Sequence, residues 1–209
     1  MKRLFLASAV SEVASDIAKK IDCKGLKLAF IMTASEVEKG DLWWLRADRE
    51  ALVKMGFNLF DHTLTNKTKS DVKKDLEKAD VLFFSGGNTF YLLQKIQESD
   101  SAEVIKKFVE GGKIYIGSSA GSLIAGPDIY PVRFADDIKM ASKLKNYKGF
   151  GFVDFMVLPH WGHEDFKKAY LDGLIKSIYN NEHKTILLTN YQYIEVNGDT
   201  YKVEEVKHS

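Results

Sequence analysis

The sequence predicts an α/β fold: a mostly parallel sheet covered by helices on both faces, a three-layer αβα sandwich, closed by a C-terminal β-hairpin. Three observations carry this. Short apolar runs of strand length recur along the whole chain, and segments of helical periodicity separate the early ones. Near the end, Asn197-Gly198 sits between two alternating segments, the signature of a tight hairpin turn.

RLFLAS (3–8) is the first strand. The two cations before an apolar stretch are similar to the start of a signal peptide. Ser8 interrupts the stretch, however, and the acidic SEVASD after it suits a helix start better than a cleavage region. KLAFIMTA (27–34) is the second strand. Over 36–55, Leu42, Leu45, Leu52 and Met55 recur at three- and seven-residue steps and predict a helix. NLFDHTL (58–64) is the third strand, and SDVKKDLEKA (70–79) a helix with Ser70 as cap and acids in its first turn. DVLFFSG (80–86) is the fourth strand, with a helix starting near Asn88 or Thr89. KIYIGS (113–118) runs into GSLIAG, which begins another helix. FMVLPH (155–160) is a strand, and over 164–180 Phe166, Tyr170, Leu174 and Ile178 form one stripe at four-residue spacing. TILLT (185–189) and the hairpin YIEVNGDTYKVEEV complete the order. No repeat, low-complexity tract or linker interrupts the 209 residues, which predicts one domain over 1–209.

Composition narrows the function classes. Hydrophobic residues make up 45% and charged residues 28%, as in globular proteins, and the formal net charge is only +1. No electrostatic footprint predicts a nucleic-acid or membrane partner. The basic runs 67–74 and 139–149 read as a solvated helix face and a loop. No run approaches the roughly 18 apolar residues of a membrane span. Cys23 is the only cysteine, so there is no internal disulfide and no cysteine-based metal site, and the expected location is cytoplasmic.

In such sheets ligands sit at the carboxyl ends of the strands, so the residues after each apolar run matter most. After the 113–118 strand, Gly117-Ser118-Ser119-Ala120-Gly121 forms the frame G-x-S-x-G with Ser119 at its centre. A nucleophile on a sharp strand-to-helix turn needs small neighbours on both sides, and this frame supplies them. Ser118 and Ser122 read as packing or capping residues. A serine hydroxyl needs a base within hydrogen-bond reach. Of five histidines, His160 follows an apolar strand at the functional edge and is the candidate base. His163 opens the next helix and is a weaker candidate. His62 reads as structural or surface, while His183 in NNEHK and His208 near the terminus read as solvent-facing. Two glycines after the fourth strand expose backbone amides, so Gly87 N–H and Ala120 N–H are the candidate oxyanion donors. The competing reading, a phosphate loop, lacks the Lys-Ser/Thr of a Walker motif.

SGGNTFYLLQ, GKIYIGSSAGSLIAGP and LPHW occur in the order and spacing of the peptidase E family, the aspartyl-dipeptidase and cyanophycinase-like serine peptidases. The chain resembles that family over nearly its whole length. The resemblance implies a class I glutamine amidotransferase-like fold with serine in place of the elbow cysteine. It implies Ser119 as nucleophile, His160 as base, Gly87 and Ala120 as oxyanion-hole positions, and no cofactor or metal. Chain order argues separately against an α/β-hydrolase, which places histidine last and an acid between it and the serine. An amidotransferase needs a thiol at the elbow, and Cys23 lies in a polar turn far from it in sequence.

Two departures qualify the resemblance. An acid after the next strand completes the family's triad, and the matching position here is Asn190. Asparagine can orient an imidazole but brings no charge. Asp136 or Asp137, in FADD, is the alternative support for His160. The family's preference for an N-terminal aspartate requires a cation, yet the segment that carries its arginine reads GHEDFKKAYLDG, with Lys167 and Lys168 only. Arg133 is another candidate, though lysine cannot reproduce the bidentate fork of arginine. Trp43, Trp44 and Trp161 are expected mainly in core packing, with Trp161 best placed to wall the pocket and one of the other two able to reach it. The resulting expectation is a serine hydrolase that cleaves a small peptide, dipeptidase-like, through an acyl-enzyme. The alternative is a non-catalytic or weakly active metabolite-binding relative of the same fold.

Overall fold

The computed structural model describes residues 1–179 and 182–206; His208 lies outside the described residues. In chain order the elements are β1 (Arg3–Ala7), α1 (Val10–Ile17), β2 (Lys27–Ile31), α2 (Trp43–Lys54), β3 (Asn58–His62), α3 (Lys69–Leu76), β4 (Val81–Phe84), α4 (Thr89–Glu98), α5 (Ala102–Glu110) and β5 (Ile114–Ser118). They continue with α6 (Ala120–Leu123), β6 (Phe155–Leu158), α7 (Glu164–Ala169), α8 (Ile175–Tyr179), β7 (Lys184–Leu187), β8 (Gln192–Asn197) and β9 (Thr200–Glu205). Seven strands form one sheet in the order β3-β2-β4-β5-β1-β8-β9. It is parallel from β3 to β1, and the C-terminal pair β8-β9 is added antiparallel. The α/β expectation with helices on both faces and a terminal antiparallel pair describes this architecture.

Strand alternation assigns the two faces. Phe5, Ala7, Leu28, Phe30, Val81, Phe83 and Ile116 point to one side, where Val10, Val13 and Ile17 of α1 and Leu52 of α2 cover them. Leu4, Leu6, Ala29, Ile31, Leu82, Phe84 and Tyr115 point to the other, against α3, α4 and α5. Because both sides are covered, the central strand β4 is buried at every position and reads as an unbroken apolar run.

Four local expectations are corrected. The 36–55 segment is not one helix: residues Thr33–Val37 form a 3-10 turn, Gly40 adopts φ 87°, and α2 begins only at Trp43. The cap of α3 is Thr68, not Ser70; its hydroxyl accepts the Asp71 N–H while the Asp71 carboxylate accepts the Thr68 N–H at 3.0 Å. The 164–180 stripe breaks into α7, a π turn over Tyr170–Leu174, and α8. There the ring of Phe134 packs directly on Gly173, and a Cβ at that position would push the ring aside. Finally, β6 and β7 pair in parallel with each other as a separate two-stranded sheet, not within the main one. The physical reason is that β8 already occupies the free edge of β1.

Candidate active site

Ser119 stands at the carboxyl end of β5 with φ 50° and ψ −108°, backbone values that a non-glycine residue keeps only when its surroundings hold it. Its N–H donates to the Ala7 carbonyl at 3.0 Å, and its own carbonyl accepts from Ser122 and Leu123 at 2.8 and 3.0 Å. The two framing glycines have separate tasks. A Cβ on Gly117 would come within 2.6 Å of the Gly121 backbone, and one on Gly121 would overlap the Phe84 carbonyl. Both let the turn after β5 lie directly on β4 and β5. The Ser122 hydroxyl reaches the Ala7 and Gly117 carbonyls at 2.7 and 2.9 Å, so it braces the turn. Ser118 Oγ accepts the Val10 N–H at 3.2 Å, tying β5 to the start of α1.

His160, 41 residues further along, meets Ser119 with Nε2 2.9 Å from Oγ. Its Nδ1 lies 2.7 Å from Asn190 Oδ1. An amide oxygen can only accept, so Nδ1 carries the proton and Nε2 offers its lone pair to the serine hydroxyl. The imidazole stacks on Phe166 of α7 at 4.3 Å between ring centres. Burial pushes its pKa below the ordinary value of 6.5; the Asn190 bond opposes this shift, and the charge of His163 adds to it. Asp136 and Asp137 are engaged elsewhere. The Asp136 carboxylate accepts the Thr89 N–H at 2.8 Å, and the Asp137 carboxylate accepts the Lys139 N–H at 3.0 Å.

The Gly86-Gly87 turn faces the elbow. A Cβ on Gly86 would stand 3.3 Å from Ser119 Cβ and 3.4 Å from the Trp44 ring. Gly87 has φ 119°, and its successor Asn88 donates its N–H to the Ala34 carbonyl at 2.8 Å. Among the described residues, neither the Gly87 N–H nor the Ala120 N–H has a hydrogen-bond acceptor. A cavity of about 560 Å³ lined by Lys2, Phe152 and Tyr201 does not include any of these groups.

None of the remaining sequence candidates hydrogen-bonds Ser119 among the described residues. His163 is the exposed N-cap residue of α7, with Nδ1 3.7 Å from Asp165. His62 is buried at the end of β3, with Nδ1 3.8 Å from Asp75. Lys167 and Lys168 are exposed, and Lys167 pairs with Glu164 at 3.2 Å. Arg133 bonds the Tyr130 carbonyl and Ser177, with its guanidinium over the Tyr130 and Phe134 rings. The core expectation for the tryptophans is corrected: Trp43 is 62% exposed and Trp161 is 44% exposed, edge-on to Tyr170. Trp44 is the one beside the Gly86 turn, since consecutive residues of a helix point about 100° apart and the two rings cannot face the same way. Ser8, named in the sequence only as an interruption of the first apolar stretch, accepts the His160 N–H at 3.1 Å. Its place at the carboxyl end of the first strand is the one signal that could have found it.

A sequence model of peptidase family S51 matches residues 5–204. An uncharacterized peptidase of Pasteurella multocida (strain Pm70) is 33% identical over 203 residues, covering 96% of each chain. A peptidase E of Shewanella amazonensis is 37% identical over 92 residues, which is 44% of this chain and 37% of that one. A crystal structure of a candidate peptidase E from Listeria monocytogenes EGD-e superposes with a TM-score of 0.91 at 29% identity, covering 99% of this chain and 100% of that one. Among the described residues no helix is long and apolar enough to cross a membrane.

Proposed function

The chain belongs to peptidase family S51, and from that premise we propose that it is a serine hydrolase cleaving a small, dipeptide-like substrate through an acyl-enzyme. The observation that carries this reading is the continuous chain Asn190 Oδ1–His160–Ser119 Oγ, with contacts of 2.7 and 2.9 Å. Ser119 Oγ attacks the scissile carbonyl carbon while its proton passes to His160 Nε2. The carbonyl oxygen gains the negative charge and takes hydrogen bonds from the Gly87 and Ala120 amides. Collapse of the tetrahedral species breaks the C–N bond, and His160 returns the proton to the leaving amine. Water, deprotonated by the same imidazole, then releases the acyl group. Asn190 holds the ring in the productive tautomer.

The test is labelling with a serine-directed phosphonate, followed by a screen of dipeptides with varied N-terminal residues, Asp-X included. Covalent modification at Ser119 is expected; a folded protein that stays unlabelled contradicts the proposal. Because Asn190 supplies no charge to the imidazolium, a non-catalytic or weakly active metabolite-binding protein is the second reading. Equal ligand-induced thermal shifts in wild type and Ser119→Ala, with no hydrolysis by either, favour that one.

The pH profile follows from the burial of His160. Only the neutral imidazole can take the serine proton, so acid removes activity as the ring protonates. Burial lowers the folded-state pKa, so the acid limb of kcat/KM is expected below the ordinary value of 6.5, with no loss on rising through pH 7. Asn190→Asp places a carboxylate beside Nδ1, which favours the imidazolium and moves that limb upward. A wild-type limb above the ordinary value, unmoved by Asn190→Asp, would assign the titration to another group.

A further inference from the structure

We propose that Ser8 is a positioning residue, its buried hydroxyl joining the segment that carries His160 and Asn190 to the sheet that carries Ser119. This rests on the reading of Ser119 and His160 as nucleophile and base. The problem it solves is architectural. Ser119 leaves β5, near the middle of the seven-stranded sheet, whereas His160 and Asn190 follow β6 and β7, which share no ladder with that sheet. A 2.9 Å contact between side chains from two separate sheets requires something to fix the sheets relative to each other at that point.

Ser8 is the residue after β1, beside the end of β5, where Ala7 lies opposite Ser118. It is 1% exposed. Its Oγ accepts the His160 N–H at 3.1 Å and donates to the Leu188 carbonyl at 3.0 Å. That carbonyl also accepts the Trp161 N–H at 2.8 Å, and Leu188 lies two residues before Asn190. One hydroxyl therefore contacts the backbone on both loops and directly follows the strand that holds the Ser119 N–H through Ala7.

The geometry of His160 makes that contact consequential. His160 has φ 65°, in the left-handed region that a residue with a Cβ keeps only when neighbouring bonds enforce it. The N–H that Ser8 accepts flanks that same torsion. Without the hydroxyl the part-buried amide loses its partner, and relaxation of φ swings the imidazole away from Ser119 and Asn190 together.

The test compares Ser8→Ala with Ser8→Thr, which keeps an Oγ. Folded Ser8→Ala is expected to lose about 10- to 100-fold in kcat, the scale of a displacement near 1 Å, with KM changed less than about 2-fold. Its His160 amide is expected to exchange hydrogen faster, and its imidazole resonance, identified by its loss in His160→Gln, to titrate closer to a free histidine. Threonine is expected to restore all of these. Wild-type kcat in Ser8→Ala, or an equal loss in folded Ser8→Thr, overturns the proposal. Should threonine prevent folding, a protected His160 amide in Ser8→Ala overturns it alone. If Ser119→Ala leaves hydrolysis intact, the functional reading fails separately, while the amide and imidazole signals still decide the role of Ser8.

Discussion

Ser119→Ala is expected to lower kcat by about 10⁴- to 10⁶-fold in a protein that keeps its fold, and His160→Ala to do the same. In the proposed mechanism the two groups act as one unit, so both losses are expected to be large. Without the hydroxyl, the base has no proton to take; without the base, a serine hydroxyl is a poor nucleophile at neutral pH. For the same reason the double variant is expected to be no worse than either single one. What survives in each is the contribution of binding and of the Gly87 and Ala120 amides, so residual hydrolysis above the uncatalysed rate is expected. Ser119 Oγ has His160 as its hydrogen-bond partner among the described residues, so its removal leaves the core bonds of Ser118 and Ser122 untouched. Steady-state kinetics on a peptide found in the screen, with melting temperatures alongside, provide the measurement. A Ser119→Ala enzyme within 10-fold of wild type, or single losses that multiply in the double variant, would break the link between these two side chains.

The fold was legible where local pattern and global packing agree. Strands β1, β2, β4 and β5 announced themselves because a strand covered on both faces must be apolar throughout, and the Asn197-Gly198 turn because few residue pairs suit it. Sheet membership was not legible. FMVL of β6 and VLFF of β4 are both four residues long and fully buried, yet only the second belongs to the main sheet. What separates them is the antiparallel arrival of β8 on β1, a contact between residues nearly two hundred positions apart. Helix α5 also escaped notice, because its buried residues Ile105 and Val109 form a stripe of only about one turn. At the site the same division holds. The G-x-S-x-G frame is local and was visible, as were the strand-end positions of His160 and Gly87, whereas Asn190 was reached only through the family resemblance. Ser8 was not, since a serine after a strand has no distinctive neighbours, and its importance comes from two loops that reach it only in the folded chain.

Gly87→Ala is expected to damage both stability and turnover, and the comparison with Gly86→Ala shows why the two adjacent glycines are not equivalent. A Cβ on Gly87 would overlap the Ala34 carbonyl, the same carbonyl that accepts the Asn88 N–H. Its obstacles are backbone atoms, which cannot turn aside, and φ 119° is closed to alanine whatever the space. Strain of this kind together with overpacking costs about 3 kcal/mol or more. The chain can escape it only by moving the turn, which carries the Gly87 N–H away from the position a developing oxyanion occupies. The expected loss in kcat is about 10²- to 10³-fold, the usual effect of one missing donor. Gly86 lacks the positive φ, and the nearest obstacles to a Cβ are side chains, Ser119 Cβ at 3.3 Å and the Trp44 ring at 3.4 Å. The partly buried Trp44 ring can shift by a few tenths of an ångström, so Gly86→Ala is expected to fold within about 1–2 kcal/mol of wild type. Denaturant melts and kinetics on both variants separate the effects. Equal stability of the two would remove the backbone argument, and wild-type turnover in Gly87→Ala would remove its amide from the oxyanion site, leaving Ala120 N–H to act without it.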